Sequence, residues 1–181
     1  MVPVYGRDYL ALDDPALLAQ CDVHIYKSSG PGGQHRNKVS SAVRLRHRPT
    51  AVTAHGDQTR SQHDNKRLAV QTLRMNIACT LRGAVDPGQP PPATVRQCLF
   101  TPRGGPQAGQ LRLQIGRKDS RYWQVAAYLL DLLDHFQGHL ADAAAHLGVS
   151  TGNLVGLLEQ DRHALAAAQA IRKARRLRPL M

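Results

Sequence analysis

The sequence has 181 residues, enough for one compact domain or two small ones, and its hydrophobic share of 42% suffices for a core. Lys and Arg outnumber Asp and Glu by 24 to 13, which gives a formal net charge of +11. Such a charge on a small protein points to nucleic acid or an anionic membrane surface. An aromatic share of only 4% argues against an RNA-binding sheet that stacks several bases.

The cysteines and the N-terminus narrow the class of protein further. Three cysteines with no CxxC pairing predict neither a disulfide framework nor a metal site. The N-terminus lacks an apolar signal region, and no apolar run approaches the roughly 18 residues that a membrane span needs. We therefore expect a soluble cytoplasmic protein with no membrane partner.

The first part of the chain contains three stretches that alternate between apolar and polar residues. Asp13-Asp14-Pro15 predicts the start of a short capped helix, and the alternating stretches predict strands at 22–27, 42–48 and 51–55. Apolar residues then recur at every fourth position from Ala69 to Leu81, which predicts a helix. This order predicts an α+β fold in which residues 1–83 form a small sheet of about three strands covered by a helix.

The remaining residues form two segments that differ in composition and periodicity. Residues 84–120 are rich in Pro and Gly, so we expect a linker and an irregular segment with one short strand near 111–115. Residues 121–181 show helical periodicity, which predicts an all-α C-terminal module. Within it, Gly148-Val149-Ser150 separates two short apolar helices, as in a helix-turn-helix. A last helix at about 162–176 ends in a basic tail.

The most distinctive stretch is the glycine-rich segment Ser28–Lys38. Three glycines and a proline stand close together in Gly30-Pro31-Gly32-Gly33-Gln34. Glycine allows a positive φ and lets another molecule approach the main chain closely. From residue 27 to residue 62 there are seven Lys and Arg residues and one acid. The segment is therefore predicted to present its backbone amides to an anionic partner.

The residues around this segment form a longer pattern. After Ser29–His35 come Asn37-Lys38, Ser41–Leu45, His47, Pro49-Thr50, Arg60-Ser61-Gln62 and Asn65-Lys66. Over about residues 21–82 this pattern resembles the catalytic domain of bacterial-type class I peptide chain release factors. The sequence departs from that family at Arg36, where a small apolar residue is usual, and at Ala51, where glycine is usual.

The resemblance implies an enzyme that acts on the ribosome. Gly32, Gly33 and Gln34 would enter the peptidyl transferase centre of the large subunit, without a cofactor, and promote hydrolysis of the ester in P-site peptidyl-tRNA. The main-chain amide of Gln34 would donate to the oxygen that becomes negative in the transition state, and such a donor is worth about 3–4 kcal/mol. The Gln34 side chain would admit water and exclude larger nucleophiles. Gln34 would also be the residue that a glutamine methyltransferase modifies.

Contacts with rRNA are predicted at two places. Three arginines fall on one face of the strand at 42–48, and basic residues cluster again in the C-terminal tail, where guanidinium groups suit phosphate binding. The predicted RNA-binding residues are His35, Arg36, Asn37, Lys38, Arg44, Arg46, Arg48, Arg60, Gln62, Arg172, Lys173, Arg175 and Arg176.

The order of segments bears on the kind of peptide release. Full-length factors that read stop codons carry a helical domain and a codon-recognition domain before the Gly-Gly-Gln domain, whereas about 20 residues precede it here. We therefore expect release without a stop codon, as in the rescue of stalled ribosomes. Two alternatives stay open, a non-catalytic ribosome-binding or RNA-binding protein and a helix-turn-helix DNA-binding regulator. The second helix of the predicted pair, at 150–159, has no Lys or Arg, which disfavours DNA binding.

Overall fold

The computed structural model describes residues 6–27 and 40–180, which divide into two compact units. The first, called the sheet unit, comprises Leu12–Ile77. The second, called the helical unit, comprises the described residues up to Ala11 and from Ala78 onward. The chain thus passes between the units after residues 11 and 77. The sequence-based boundaries at 83 and 120 stay predictions.

The predicted helices and strands appear in the predicted order, and three short elements at 6–10, 93–96 and 99–100 appear in addition. The elements are α1 Gly6–Leu10, α2 Asp14–Ala19, β1 Cys21–Tyr26, β2 Ala42–His47, β3 Thr53–Gly56, α3 Gln62–Thr80, α4 Ala93–Arg96, β4 Leu99–Phe100, β5 Arg112–Leu113, α5 Tyr122–His135, α6 Leu140–Leu147, α7 Thr151–Leu158 and α8 Arg162–Ala174. The predicted α+β fold class is confirmed. No helix within residues 6–27 and 40–180 is both long enough and apolar enough to span a membrane.

β2 is the central strand of the sheet unit. It pairs antiparallel with β1 on one side and with β3 on the other. Val43 and Leu45 are fully buried on one face of β2, whereas Arg44 and Arg46 are exposed on the other. The predicted alternation is therefore confirmed, and it places two cations on the open face of the sheet.

α3 covers the buried face of this sheet. Ala69, Leu73 and Ile77, at every fourth position of the helix, are fully buried. The side-chain amide of Asn76 donates to the Thr53 carbonyl of β3 at 2.7 Å. The predicted covering helix is confirmed, and its apolar stripe forms the core of the sheet unit with the inner residues of β2.

α5 is the central helix of the helical unit. Every residue from Val125 to Leu133 is buried, and α6, α7 and α8 pack around them. Two residues of the predicted linker region, Val95 of α4 and Leu113 of β5, belong to the same core. β4 and β5 pair over only two residues each. β5 falls within the strand expected near 111–115, whereas β4 is too short to show an alternation in the sequence.

The predicted helix-turn-helix is present as α6 and α7. Gly148 ends α6 in the left-handed conformation (φ 68°, ψ 22°), which glycine adopts without strain because it has no Cβ. The Ser150 side chain begins α7 by accepting from the Asn153 N–H. The Asn153 side chain also accepts from the Leu113 N–H at 2.7 Å and donates to the Leu113 carbonyl at 3.0 Å. β5 therefore pairs with β4 on one edge and with a helix side chain on the other.

A buried carboxylate ties α1 to the helical unit. Asp131 of α5 is 2% exposed and accepts from the Gly83 N–H at 2.8 Å. Its oxygens lie 3.3 Å from the Arg7 guanidinium and 3.6 Å from that of Arg82. Burial raises the pKa of Asp131 to about 6, although the Gly83 N–H and the two arginines act in the opposite direction. These contacts explain why residues 6–11 belong to the helical unit.

The raised pKa of Asp131 predicts the sign of a pH effect on stability. Because the pKa is higher in the folded state than the ordinary 3.8 of the unfolded chain, the stabilisation from this group is complete below pH 4 and is lost as the pH rises through 6. The free energy of unfolding of wild type minus that of Asp131→Asn should fall by about 2 kcal/mol between pH 4 and pH 7. Urea unfolding followed by the fluorescence of Trp123 on α5 measures this difference. A difference that stays constant over this range would contradict the prediction.

Candidate functional site

The predicted catalytic residues lie in the connection between β1 and β2. Tyr26 is paired with Ala42 at the ends of these antiparallel strands, so residues 27–41 join two neighbouring positions of the sheet. Gly32, Gly33 and Gln34 belong to this connection and lie outside the described residues. The predicted RNA-binding residues His35, Arg36, Asn37 and Lys38 also lie outside them. A connection of this length between adjacent strands is uncommon, and long connections in compact domains usually carry function.

The open face of the sheet carries Arg44 and Arg46 side by side on β2. Within residues 6–27 and 40–180, neither guanidinium makes a hydrogen bond or an ion pair. Arg44 stands between His24 of β1 and His55 of β3 in the strand register, and all three side chains are exposed. A polyanion can bind such cations without first breaking an ion pair among these residues.

Imidazole rings flank Arg44 on both sides in the strand register, whereas Asp22 and Thr53 flank Arg46. The Tyr26 hydroxyl and His55 Nδ1 are 3.2 Å apart, and the Tyr26 and His24 rings lie nearly parallel with centroids 6.4 Å apart. With the two arginines, the histidines help to line a shallow recess of about 490 Å³. We call the surface formed by Tyr26, His24, His55, Arg44 and Arg46 the basic sheet face. It combines charge with ring surfaces, which is the chemistry that RNA binding uses.

Arg48, the third predicted arginine of this strand, has a different environment. Its guanidinium donates to the carbonyls of Ala19 at 2.6 Å and Cys21 at 3.0 Å, and it lies 3.3 Å from the Asp22 carboxylate. These bonds hold the turn between α2 and β1 against the end of β2. The structure thus gives Arg48 a local structural role that its alternation with Arg44 and Arg46 does not reveal.

Arg60 and Gln62 lie where the chain enters α3. Gln62 is the first residue of that helix, and Arg60 precedes it in the turn; both side chains are exposed. Ser61 begins the helix through its side chain, which accepts from the Asp64 N–H at 3.2 Å. Both predicted RNA-binding residues are accessible, and their role stays a prediction.

The basic C-terminal segment folds back onto the helical unit. Arg172 donates to the carbonyl of Arg178 at 2.9 Å and to that of Gly138, and Arg175 lies 3.8 Å from the Asp134 carboxylate. Lys173 and Arg176 are exposed. Leu180 is buried in the core. Of the four predicted RNA-binding residues of the tail, Arg172 is therefore bonded within the fold, whereas Lys173, Arg175 and Arg176 are exposed.

Sequence reasoning gave no role to two buried polar side chains at the ends of β2. At one end, His47 is within 2.8 Å of the Thr50 hydroxyl and 3.1 Å of the Gln20 side-chain oxygen. Burial, and secondarily Arg48, lower the pKa of His47. At the other end, the side chain of Asn65 donates to the Ser41 carbonyl at 2.8 Å. Asn65 is part of the pattern that carries the family resemblance, and this was the only signal for it.

Comparison with known proteins agrees with this geometry. Residues 18–86, which enclose the three-stranded sheet and all of α3, match the RF-1 domain. The chain is 53% identical to peptide chain release factor 1 of Mesoplasma florum over 55 residues, which are 30% of this chain and 15% of that protein. It is 46% identical to peptide chain release factor 2 of Buchnera aphidicola over 55 residues, 30% of this chain and 15% of that protein. Over 77 residues it is 47% identical to peptide chain release factor 1 of Lactobacillus gasseri, 42% of this chain and 20% of that protein.

The fold and the basic sheet face define an α+β domain suited to RNA. Residues 18–86 match the RF-1 domain, and the same part of the chain is similar to segments of peptide chain release factors 1 and 2. The matched segments span 15% to 20% of the length of these relatives. The family resemblance that the sequence pattern indicated over residues 21–82 is thereby confirmed.

Proposed function

We propose that this protein hydrolyses the ester of P-site peptidyl-tRNA in the peptidyl transferase centre of the large ribosomal subunit. The proposal is carried by one observation: the match to the RF-1 domain over 18–86 includes Gly32-Gly33-Gln34, which lie in the connection between two adjacent strands. Release on cytoplasmic ribosomes and modification of Gln34 by a glutamine methyltransferase are parts of the same proposal.

The chemistry requires only water and a well-placed hydrogen-bond donor from the protein. The water oxygen bonds to the ester carbonyl carbon, the bond from that carbon to the tRNA 3′ oxygen breaks, and the 3′ oxygen takes a proton. The main-chain N–H of Gln34 donates to the carbonyl oxygen as it becomes negative, which is the role of an oxyanion-hole donor. Gly32 and Gly33 give the backbone the freedom to aim this N–H.

The basic sheet face is the proposed contact with rRNA. Replacing both Arg44 and Arg46 with Gln should weaken binding to purified ribosomes at every salt concentration. The slope of log affinity against log salt should also decrease by about 1 for each phosphate contact that is lost. Equilibrium binding of fluorescently labelled protein between 50 and 200 mM KCl measures both quantities.

Arg48→Gln is the matched control for this experiment. It removes one positive charge, against two in the Arg44/Arg46 variant, and its side chain is bonded to the Ala19 and Cys21 carbonyls. We expect it to lower the free energy of unfolding by about 1 kcal/mol and to leave the salt slope unchanged. Equal salt slopes for wild type and the Arg44/Arg46 variant would contradict the assignment of the basic sheet face.

The finer part of the proposal is that release does not require a stop codon. This part rests only on the expectation drawn from the order of segments in the sequence. It is tested by comparing peptide release from different ribosome complexes. Purified complexes with a stop codon, a sense codon or an empty A site are mixed with the wild-type protein, and released peptide is measured. Release from the sense-codon or empty complexes is expected. Release from the stop-codon complex alone would overturn the rescue proposal and leave the hydrolase proposal standing.

The DNA-binding alternative gains no support from the helix-turn-helix. α7 has no Lys or Arg, and through Asn153 it holds β5 with two hydrogen bonds to Leu113. A recognition helix needs a face that is free to enter the major groove and cations to contact phosphates. We propose instead that α6 and α7 serve as part of a folded module that accompanies the release domain.

A further inference from the structure

A groove of about 450 Å³ lies between α7 and the hairpin of β4 and β5, within the helical unit. Asn153 of α7 fixes the distance between its two walls, because its side chain makes two hydrogen bonds to the backbone of Leu113 in β5. Leu113 and Leu157 are buried and form the floor. Ligand pockets commonly measure about 300–1,000 Å³. The groove is therefore large enough for a small molecule or for one unit of a polymer.

The hairpin wall of the groove carries an aromatic ring beside a cation. Phe100 of β4 is paired with Arg112 of β5 in the strand register, so both side chains lie on the same face of the hairpin. Both residues line the groove, and Phe100 is 39% exposed. Within residues 6–27 and 40–180, the Arg112 guanidinium makes no hydrogen bond or ion pair, and no acidic side chain of these residues lines the groove. This wall offers a ring for stacking and a free positive charge for a phosphate.

The helix wall of the groove is exposed backbone at two places. Gly152 and Gly156 are one turn apart on α7, and both line the groove. A Cβ at either position would have open space around it, and neither glycine is among the described glycines with a positive φ. Glycine inside a helix is less favourable than alanine, and neither tight packing nor backbone conformation in the described part of the chain requires it here. Close approach of a ligand to the helix backbone would require it.

Two glutamine side chains stand at the rim of the groove. Gln114 follows Arg112 by two residues, and Gln160 follows Gly156 by four residues, just beyond the end of α7. Both glutamines are exposed and line the groove, and their side chains make no hydrogen bond within the described residues. A carboxamide offers donors and an acceptor, which match the donors and acceptors on the edge of an unpaired base.

We propose that this groove binds an unpaired nucleotide of single-stranded RNA. The base stacks on the Phe100 ring, and its phosphate contacts the Arg112 guanidinium. The strand passes close to the backbone of α7 at Gly152 and Gly156. A double helix does not fit, because its bases are stacked on one another and do not reach a ring in a groove. The choice of RNA over DNA rests on the proposed function, since a protein that acts on the ribosome meets single-stranded RNA there.

The test measures the binding of fluorescein-labelled hexaadenylate to the full chain by fluorescence anisotropy, over a range of KCl concentrations. All proteins carry Arg44→Gln and Arg46→Gln, so that the basic sheet face contributes little, and the protein with these two changes alone is called the parent. The groove variants are Phe100→Ala, Arg112→Gln and Gly156→Leu. Thermal unfolding followed by circular dichroism shows whether each variant keeps the Tm of the parent.

Each groove variant has its own expected result. Phe100→Ala should weaken binding by about fivefold or more, the loss typical of a base that stacks on an aromatic ring. Phe100→Tyr keeps the ring and should bind within about twofold of the parent. Arg112→Gln should reduce the slope of log affinity against log salt by about 0.7, the value for one phosphate of a single strand. Gly156→Leu should weaken binding although leucine favours the helix more than glycine does, because its side chain occupies the groove.

Two matched controls come from the same hairpin. Leu111→Ala and Arg103→Gln remove an exposed apolar side chain and an exposed cation that are not among the residues lining the groove. Both should bind within about twofold of the parent, with an unchanged salt slope. Parent-like binding in the groove variants, or equal losses in the controls, would overturn the proposal. Tighter binding of a short RNA duplex or of hexadeoxyadenylate than of hexaadenylate would also overturn it.

This experiment contains no ribosome, so its outcome is separate from that of the proposed function. If the wild type releases no peptide from any ribosome complex while the groove variants lose affinity for hexaadenylate, the proposed function fails and the RNA site stands. If peptide is released normally while the groove variants bind hexaadenylate like the parent, the RNA site alone fails.

Discussion

Gly56→Ala is expected to destabilise the sheet unit by about 3 kcal/mol or more. A Cβ at this position would lie 2.0 Å from the Asn65 carbonyl oxygen and 2.9 Å from the Ala69 nitrogen. Both atoms belong to the backbone of α3, so the helix would have to move away from β3 to make room. Overpacking a core commonly costs about 1–3 kcal/mol, and a clash with helix backbone belongs at the upper end of that range. Hydrogen exchange of the β2 amides measures the loss.

Gly152→Ala is the matched control for this change. Gly152 lies in α7 with open space around its Cβ position, so alanine there should stabilise the helical unit by about 0.5–1 kcal/mol through its higher helix propensity. If the β2 amides of Gly56→Ala exchanged as slowly as those of wild type, this result would contradict the close packing of β3 on α3.

Gly33→Ala is expected to reduce peptide release by about a hundredfold to a thousandfold. This is the loss that removal of one oxyanion-hole donor typically causes, and a Cβ at residue 33 restricts the backbone that aims the Gln34 amide. Gln34→Ala keeps that amide, so its loss in hydrolysis should be smaller. Because the Gln34 side chain is proposed to exclude larger nucleophiles, this variant should gain reactivity with hydroxylamine relative to water. Rates of release with each nucleophile measure both effects.

Controls for Gly33→Ala and Gln34→Ala are available in another glycine-rich stretch, at residues 103–109 between β4 and β5. Gly104 has open space at its Cβ position, and Gln107 is exposed. Gly104→Ala and Gln107→Ala should release peptide at the wild-type rate. Equal losses at Gly33 and Gly104 would show that the effect of Gly33→Ala is not specific to the proposed site.

Much of the sheet unit could be predicted from the sequence because its strands follow a simple physical rule. β2 has one buried and one exposed face, so Val43 and Leu45 alternate with Arg44 and Arg46. The helical unit was also largely predictable, since α5 to α8 are long enough for their apolar periodicity to appear. The Gly148 break was recognisable because glycine suits a left-handed helix end.

The remaining features depend on contacts between residues that are distant in the chain. Arg48 has the same alternation as Arg44 and Arg46, and only its bonds to Ala19 and Cys21 distinguish it. Residues 6–11 carry no signal that Arg7 reaches Asp131, which is 124 positions further on (131 − 7). The sequence of the tail predicts only a basic helix end. That Leu180 packs in the core of the helical unit is known from the structure alone.

The candidate site also has a part that the sequence predicts and a part that only the structure shows. Gly32, Gly33 and Gln34 stand out in the sequence because glycine and glutamine are recognisable in a motif, and these residues lie outside the described part of the chain. The hydrogen bond from the Asn65 side chain to the Ser41 carbonyl could not be predicted, because an asparagine in a helix gives no sign of which carbonyl its side chain reaches. The structure adds the two ends of the connection that carries these residues, Tyr26 and Ala42, and the catalytic assignment itself stays a proposal.

The most direct test of the central claim is peptide release in water enriched in ¹⁸O. Ribosome complexes with peptidyl-tRNA in the P site are mixed with the wild-type protein, and the released peptide is weighed by mass spectrometry. Hydrolysis of the ester adds one ¹⁸O atom to the new carboxyl group and leaves deacylated tRNA on the ribosome. Peptide that stays attached to tRNA, or that leaves the ribosome as intact peptidyl-tRNA, would contradict the claim that this protein is a peptidyl-tRNA hydrolase.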